Sequence, residues 1–316
     1  MDKVGENCIS GFRRRLVALF IDALILGTVG FILGSLFESI FVQIGDWGKL
    51  FGLSIATMYF GVMNSVVCNG QTLGKKLLNI RVVNKNNHSI DLTTSFIRYI
   101  IFSIPFYLNG TSLDYLGQYS FLMYPLSLLV FGGLISITYL YVFNRVTRQT
   151  LHDLIMKTYV VKANTNFQSK GIIWKPHLYI VGLILVASMV TPYFILQSNQ
   201  NNDYDKLLAV SKTMQELPYV NDANVTLGEF NLYTTKEVDK STTYINIQVF
   251  LDNPNIDDVV IAKDLGKIAV NNYSESINKD SVNVTLIYGY DLGVWSKWFS
   301  HTHQFSPLDL LNEEAT

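Results

Sequence analysis

The first residue of this sequence with chemistry to explain is Asp22. It is the one acid in Leu16 to Phe37, an apolar run of Ala, Leu, Ile, Val, Phe and Gly that opens behind Arg13, Arg14 and Arg15. A carboxylate sunk in hydrocarbon costs on the order of 3 kcal/mol on insertion scales, so it must face other helices, a partner cation or trapped water. Arg15 lies seven residues earlier, two helical turns, and so shares a face with it. Two chemistries stay open. Asp22 exchanges a proton or binds a cation on a polar pathway, or it is neutralised by an arginine such as Arg98, or hydrogen-bonded to Ser and Thr, and simply locks a bundle.

A second acid, Asp153, closes the segment Thr147-Arg148-Gln149-Thr150-Leu151-His152-Asp153. Thr150 and Asp153 have the spacing of a helix capping box, and an ion pair with an arginine of the N-terminal triplet is the other reading. Gln71 to Lys76 superficially resembles a phosphate loop but lacks its leading Gly and four-residue spacer, so nucleotide binding is rejected. The better reading is a tight turn at Gly74, with Lys75 and Lys76 on lipid headgroups. His301 and His303 sit among Trp295, Trp298, Phe299 and Phe305. With no third ligand nearby they point to aromatic packing rather than a metal. Cys8 and Cys68 have no spaced partners and read as inert thiols. No nucleophile stands with a base, so neither an enzyme nor a cofactor is expected.

The elements that must position these residues are mostly membrane helices. The 22 residues from Leu16 to Phe37 make a rod of roughly 33 Å, enough for a hydrocarbon core of about 30 Å. A second span is expected at Leu50 to Val67, a short kinked one at Thr94 to Leu108 around Arg98 and Pro105, another at Phe121 to Phe143, and a last at His177 to Leu196 behind Lys170 and Lys175. Lys75, Lys76, Arg81 and Lys85 then share the cytoplasm with the arginine triplet. Ile80 to Val83 and Ser89 to Leu92, separated by Asn86-Asn87, read as a small cytoplasmic β-hairpin, to which Thr158 to Lys162 adds a third strand.

Charge divides the chain. Up to Leu196 there are 16 basic and 8 acidic residues; beyond it there are 8 and 17, with no Arg. A basic half suits loops beside anionic lipid, and an acidic tail suits a separately folded soluble domain that nucleic acid will not bind. The tail reads as a helix (204–216), two strands (223–233 and 243–251), a helix (257–276) and a strand (281–290), an α+β pattern.

Three ordered motifs resemble the RDD family of bacterial membrane proteins, named for one Arg and two Asp. RRLVALFIDALIL carries Arg15 and Asp22, QTLGKKLLNIRVV carries a Gly-Lys turn at Gly74 and Lys75, and RQTLHDLIMKTYVV carries Asp153. The similarity covers roughly Gly11 to Val161. It departs at Leu73, where many members have Pro, at Asn79, where they have Gly, and at Met156-Lys157, which replace a small pair. The resemblance implies a membrane domain for which transport, including cation/proton antiport in some members, is proposed.

The expected fold class is therefore an all-α helical membrane bundle of about five transmembrane helices with a C-terminal extracytoplasmic α+β domain. Its parts are an RDD-like domain (1–163), a cytoplasmic linker (164–176), the fifth transmembrane helix (177–196) and the exterior domain (197–316). The protein is expected to be multi-pass in the cytoplasmic membrane, N-terminus inside. Arg15, Asp22, Asp153 and Arg98 form the polar membrane site. Function divides between transport of a small cation or proton-coupled solute around Asp22 and a non-transporting assembly or sensory role in which residues 197–316 bind an envelope protein. The lipid bilayer is a partner in both, and a homo-oligomer is compatible with both.

Overall fold

The computed structural model describes residues 8–110, 120–168, 172–198, 203–234 and 237–312. Lys170 and parts of the 164–176 and 197–316 segments lie outside these residues. The chain forms two units. One comprises Met1–Ser35, Asp46–Gln197 and Leu292–Trp295; the other comprises Leu36–Gly45, Ser198–Asp291 and Ser296–Thr316.

Helix α1 (Phe12–Leu36) is 25 residues long, about 37 Å. A short helix α2 (Glu38–Ile44) follows, in the gap between the first two expected spans, and it belongs to the second unit. Helix α3 (Gly48–Met63) stops before the expected Val67, because Asn64 and Ser65 turn their side chains back onto the carbonyls of Phe60 and Val62. A five-residue helix α4 (Leu73–Leu77) is capped by Thr72, whose hydroxyl accepts from the Lys75 amide. After strand β1 (Ile80–Asn84) comes helix α5 (Leu92–Tyr107), capped by Asp91 and holding Pro105. Helix α6 (Met123–Ser127), a π-helical turn (Leu128–Gly132) and helix α7 (Gly133–Phe143) run on as one rod. A short helix α8 (Leu151–Ile155), strand β2 (Thr158–Lys162) and helix α9 (Lys175–Ser198) complete this unit.

Among the described residues, three helices are long and apolar enough to cross a membrane: Phe12–Leu36, Met123–Phe143 and Lys175–Phe194. Helices α3 and α5 have 16 residues each, about 24 Å against a core of about 30 Å. They pack together through Phe60 and Tyr99, whose rings stack with centroids 4.6 Å apart. Helix α9 docks on the π turn, where the Ser127 hydroxyl donates to the Ser188 carbonyl at 2.6 Å and Gly132 leaves room for Leu185.

The expected β-hairpin does not form. Strand β1 pairs antiparallel with β2 in a two-stranded sheet, Ile80 opposite Lys162 and Asn84 opposite Thr158. Ile90 makes only an isolated bridge to Ser65. Ile80, Val82, Val83, Val160 and Val161 are all buried, and two β-branched strands satisfy one another better than the polar Asn86-Asn87-His88-Ser89 run serves either.

In the second unit, helix α10 (Asp203–Gln215) leads into strands β3 (Val220–Thr234) and β4 (Glu237–Leu251), then helix α11 (Val259–Asn272), strand β5 (Ser281–Asp291), strand β6 (Ser296–Phe305) and a short helix α12 (Pro307–Asn312). The sheet order is β3-β4-β5-β6, with β4 and β5 parallel across α11 and the other pairs antiparallel. Alternate residues Ile245, Ile247, Val249, Val282, Val284 and Leu286 are buried with Ala262, Leu265 and Ala269 of α11 and Val210 and Met214 of α10. Strand β6 occupies the aromatic segment read above as mere packing. Its alternation is weak because the residues on both of its faces are largely exposed.

Candidate functional site

The two signature acids are each the centre of a polar node in the first unit. Asp153 sits in the first turn of α8 and is fully buried. There it completes a capping box with Thr150, whose hydroxyl donates to Oδ2 at 3.1 Å. From α5, Arg98 donates to Oδ1 through Nη2 at 2.7 Å and Nε at 3.0 Å. From α1, Arg15 donates to Oδ2 through Nη2 at 2.7 Å, and its Nη1 donates to the Arg148 carbonyl. The Thr158 hydroxyl at the start of β2 adds a donor to Oδ1 at 2.9 Å. The capping box and the ion pair with the arginine triplet, posed as alternatives above, thus occur together. Burial alone raises the Asp153 carboxyl, yet the charges around it, Arg98 foremost, hold it well below the ordinary carboxylate range.

Asp22 does not meet Arg98, one of the partners offered for it above, whose guanidinium is turned to Asp153; of those alternatives it takes the hydrogen bond to a threonine. Instead Asp22 accepts from the Tyr59 hydroxyl at 2.7 Å and the Gly74 amide at 2.8 Å on Oδ1, and from the Thr72 hydroxyl at 2.5 Å on Oδ2. All three donors are neutral. The Gly74 amide is one of the donors that a helix start leaves unsatisfied, so the α1 carboxylate serves as a cap for α4 across 52 residues of sequence. The close approach demands glycine, because a Cβ at Gly74 would run into the Ala18 carbonyl.

Between the nodes lies a cavity of about 80 Å³, lined among others by Arg15, Asp22, Asn64, Lys75, Arg98 and His152. That is room for a few water molecules. Lys75, expected on lipid headgroups, instead points inward, its Nζ donating to Asn64 Oδ1 at 2.5 Å. Burial pushes its ammonium down to about 7, the Arg98 charge adds to the push and Asp22 opposes it. Burial also takes His152 down to about 3 against the pull of Asp153, so this imidazole is neutral, packed edge-on to Phe102.

Thr72, Thr158, Tyr59 and Asn64 are hydrogen-bond partners of the site that sequence reasoning did not name. Threonine, tyrosine and asparagine are unremarkable in hydropathy, and only Thr150 carried a readable signal, its spacing to Asp153. In the second unit the rings of His301 and His303 are 4.5 Å apart. His301 meets Asp257 at 3.0 Å and His303 meets the Ile256 carbonyl at 3.1 Å. Among the described residues no group of three His, Cys, Asp or Glu is placed to hold a metal.

Neither the curated proteins nor the solved structures contain a match to the chain. The family model described as RDD family matches residues 9–157, a segment that contains both acids and, Thr158 apart, their hydrogen-bond partners. With Asp22 and Asp153 buried at the centres of those nodes, Arg15 paired with the second, and apolar helices among the described residues long enough to cross a bilayer, this chain is a membrane protein whose N-terminal region is an RDD family domain.

Proposed function

We propose that the RDD domain exchanges a small cation for a proton, with Lys75 and Asp22 as the exchanging pair. The observation that carries this reading is the cavity onto which Lys75, Asp22 and Asn64 open together. Intramembrane ionisable groups beside a cavity mark ion and proton routes. Arg15, Arg98 and protonated Lys75 outnumber Asp22 and Asp153 by one positive charge, so a metal cation is repelled while Lys75 holds its proton. When the ammonium loses that proton, the balance falls to neutral, and the oxygens of Asp22 and Asn64 are free to attract a cation. Proton and cation then compete for one site.

In this reading the protein is multi-pass in the cytoplasmic membrane, with the arginine triplet on the cytoplasmic side and the acidic domain outside. Helices α3 and α5 act as short additional spans, giving five. Proteoliposomes with an imposed pH gradient test the exchange. Addition of sodium or potassium collapses the gradient in wild type, and Lys75→Gln loses the coupling. Absence of any cation-dependent proton movement in wild type rejects the reading.

One observation favours a second role. Every oxygen of Asp22 and Asp153 already accepts at least one donor. Such acids fasten helices, and the protein is then a non-transporting assembly or sensory component whose exterior domain binds an envelope protein. Crosslinking through the second unit in whole cells recovers a defined partner on this account, whereas the exchange account requires none.

A further inference from the structure

A second cleft, of about 760 Å³, opens where α1 begins and α7 ends. Arg13, Arg14, Arg145, Arg148 and Lys162 line it, and no acid does among the described residues. Arg15 reaches its edge but is committed to Asp153. The other five have no carboxylate partner among the described residues. Charges of one sign gathered around a concave wall repel one another and focus a field into it.

The wall is also built rather than incidental. Arg148 is held in the left-handed region at φ 52°, a conformation strained in a residue with a Cβ. Its carbonyl is gripped by Arg15, and the turn before it is braced by Asn144, whose Nδ2 donates to Thr147 Oγ1 at 2.8 Å and to the Gln149 carbonyl at 2.9 Å. Gly11 leaves space for the guanidinium, since a Cβ there would meet Arg148 Nη1 at 3.0 Å. The buried Asp153 node thus fixes the backbone from which this arginine projects.

We infer that this cleft binds a phosphate-bearing anion. Guanidinium forks match phosphate oxygens in pairs, and a multiply charged oxyanion relieves the repulsion that a chloride ion would only partly offset. The phosphate can belong to a lipid headgroup or be free in solution. The exposed apolar side chains of Phe12, Val142 and Phe143 at the ends of two candidate spans offer a surface for acyl chains beside it.

The full chain in phosphatidylcholine nanodiscs carrying a minor fraction of phosphatidylglycerol, read by native mass spectrometry, tests the lipid source. Titration of the detergent-solubilised chain with inorganic phosphate, read by thermal shift, tests the free one. Retention of phosphatidylglycerol over phosphatidylcholine, or a saturable phosphate shift, supports the site and says which source it takes. Either response weakens at least about tenfold in Arg145→Gln/Arg148→Gln and in Arg13→Gln/Arg14→Gln, and is unchanged in Lys85→Gln, which removes an exposed charge outside the cleft. The second pair alters only exposed side chains at the start of α1 and keeps the test valid if the first variant misfolds. Equal losses in Lys85→Gln, or no response to either probe, overturn the inference.

Discussion

Asp22 and Asp153 are both fully buried carboxylates, and their different company predicts different behaviour on mutation. Asp153 is held by two guanidinium groups, so removing one leaves a buried charge partly uncompensated. Arg98→Ala, which takes away two N–H donors, is expected to cost about 3–5 kcal/mol, and Arg15→Ala less, because Arg98 still covers the acid. Thermal unfolding in detergent gives that order; equal losses would mean the two arginines share the charge evenly. Asp22 faces neutral donors, so Asp22→Asn, which keeps an acceptor for the Gly74 amide, is expected to be milder than Asp22→Ala by about 1–3 kcal/mol. Lys75 sets a pH signature. Its ammonium titrates near 7 when folded and near its ordinary value when unfolded, so from about pH 7 to about 10 the unfolded chain binds more protons and stability rises with pH. Lys75→Met is expected to flatten that rise, as the difference between the two melting curves against pH. The need of Asp22 for company was legible in the sequence. Which company was not, because its partners Thr72 and Gly74 lie 50 and 52 residues away and neither has a charge to betray it.

At the scale of elements, two of the three departures from the resemblance noted above, at Asn79 and at Met156-Lys157, coincide with backbone strain, while Leu73 does not. Asn79, where a glycine is common, has φ 54°, and Lys157, in the pair that replaces two small residues, has φ 55°. Each ends a short segment, α4 before β1 and α8 before β2, and reverses the chain so that the two strands can pair. Asparagine tolerates the left-handed region and lysine does so poorly. Lys157→Gly is therefore expected to stabilise the protein by about 1 kcal/mol, and Asn79→Gly by less, measured as a rise in unfolding temperature. Gly74→Ala should do the opposite and prevent α4 from seating on α1, since a methyl group there meets the Ala18 carbonyl. The strands themselves were readable from their β-branched alternation. Their pairing was not: Ile80 lies opposite Lys162, and nothing local distinguishes that partner from the nearer Ser89 to Leu92. The early stop of α3 was hidden for a related reason, because Val66 and Val67 extend the apolar run past the Asn64-Ser65 turn that ends the helix.

At the scale of the whole molecule, the division into an apolar basic part and an acidic α+β part was the most legible feature, since it rests on composition summed over many residues. The exceptions were short. Helix α2 was hidden in what looked like a loop, yet Phe41 and Val42 are buried and Glu38 pairs with Lys297 at 2.8 Å, which joins it to the sheet unit. That partnership depends on residues separated by 259 positions, beyond any local pattern. The same charge asymmetry carries the final prediction, the orientation. Positively charged segments resist translocation, so the ends of helices flanked by Arg13, Arg14, Arg145 and Arg148 are expected to stay in the cytoplasm, with the domain after α9 outside. In a background with Cys8 and Cys68 replaced by alanine, single cysteines at Asn86 and Asn224, both exposed, report the two sides. A membrane-impermeant maleimide applied to intact cells, with the outer barrier permeabilised where one exists, is expected to label Asn224→Cys and to reach Asn86→Cys only after the cytoplasmic membrane is opened. Labelling of Asn86→Cys in sealed cells would invert the orientation. It would also move the basic cleft to the outer face, away from the anionic leaflet that its charge was expected to meet.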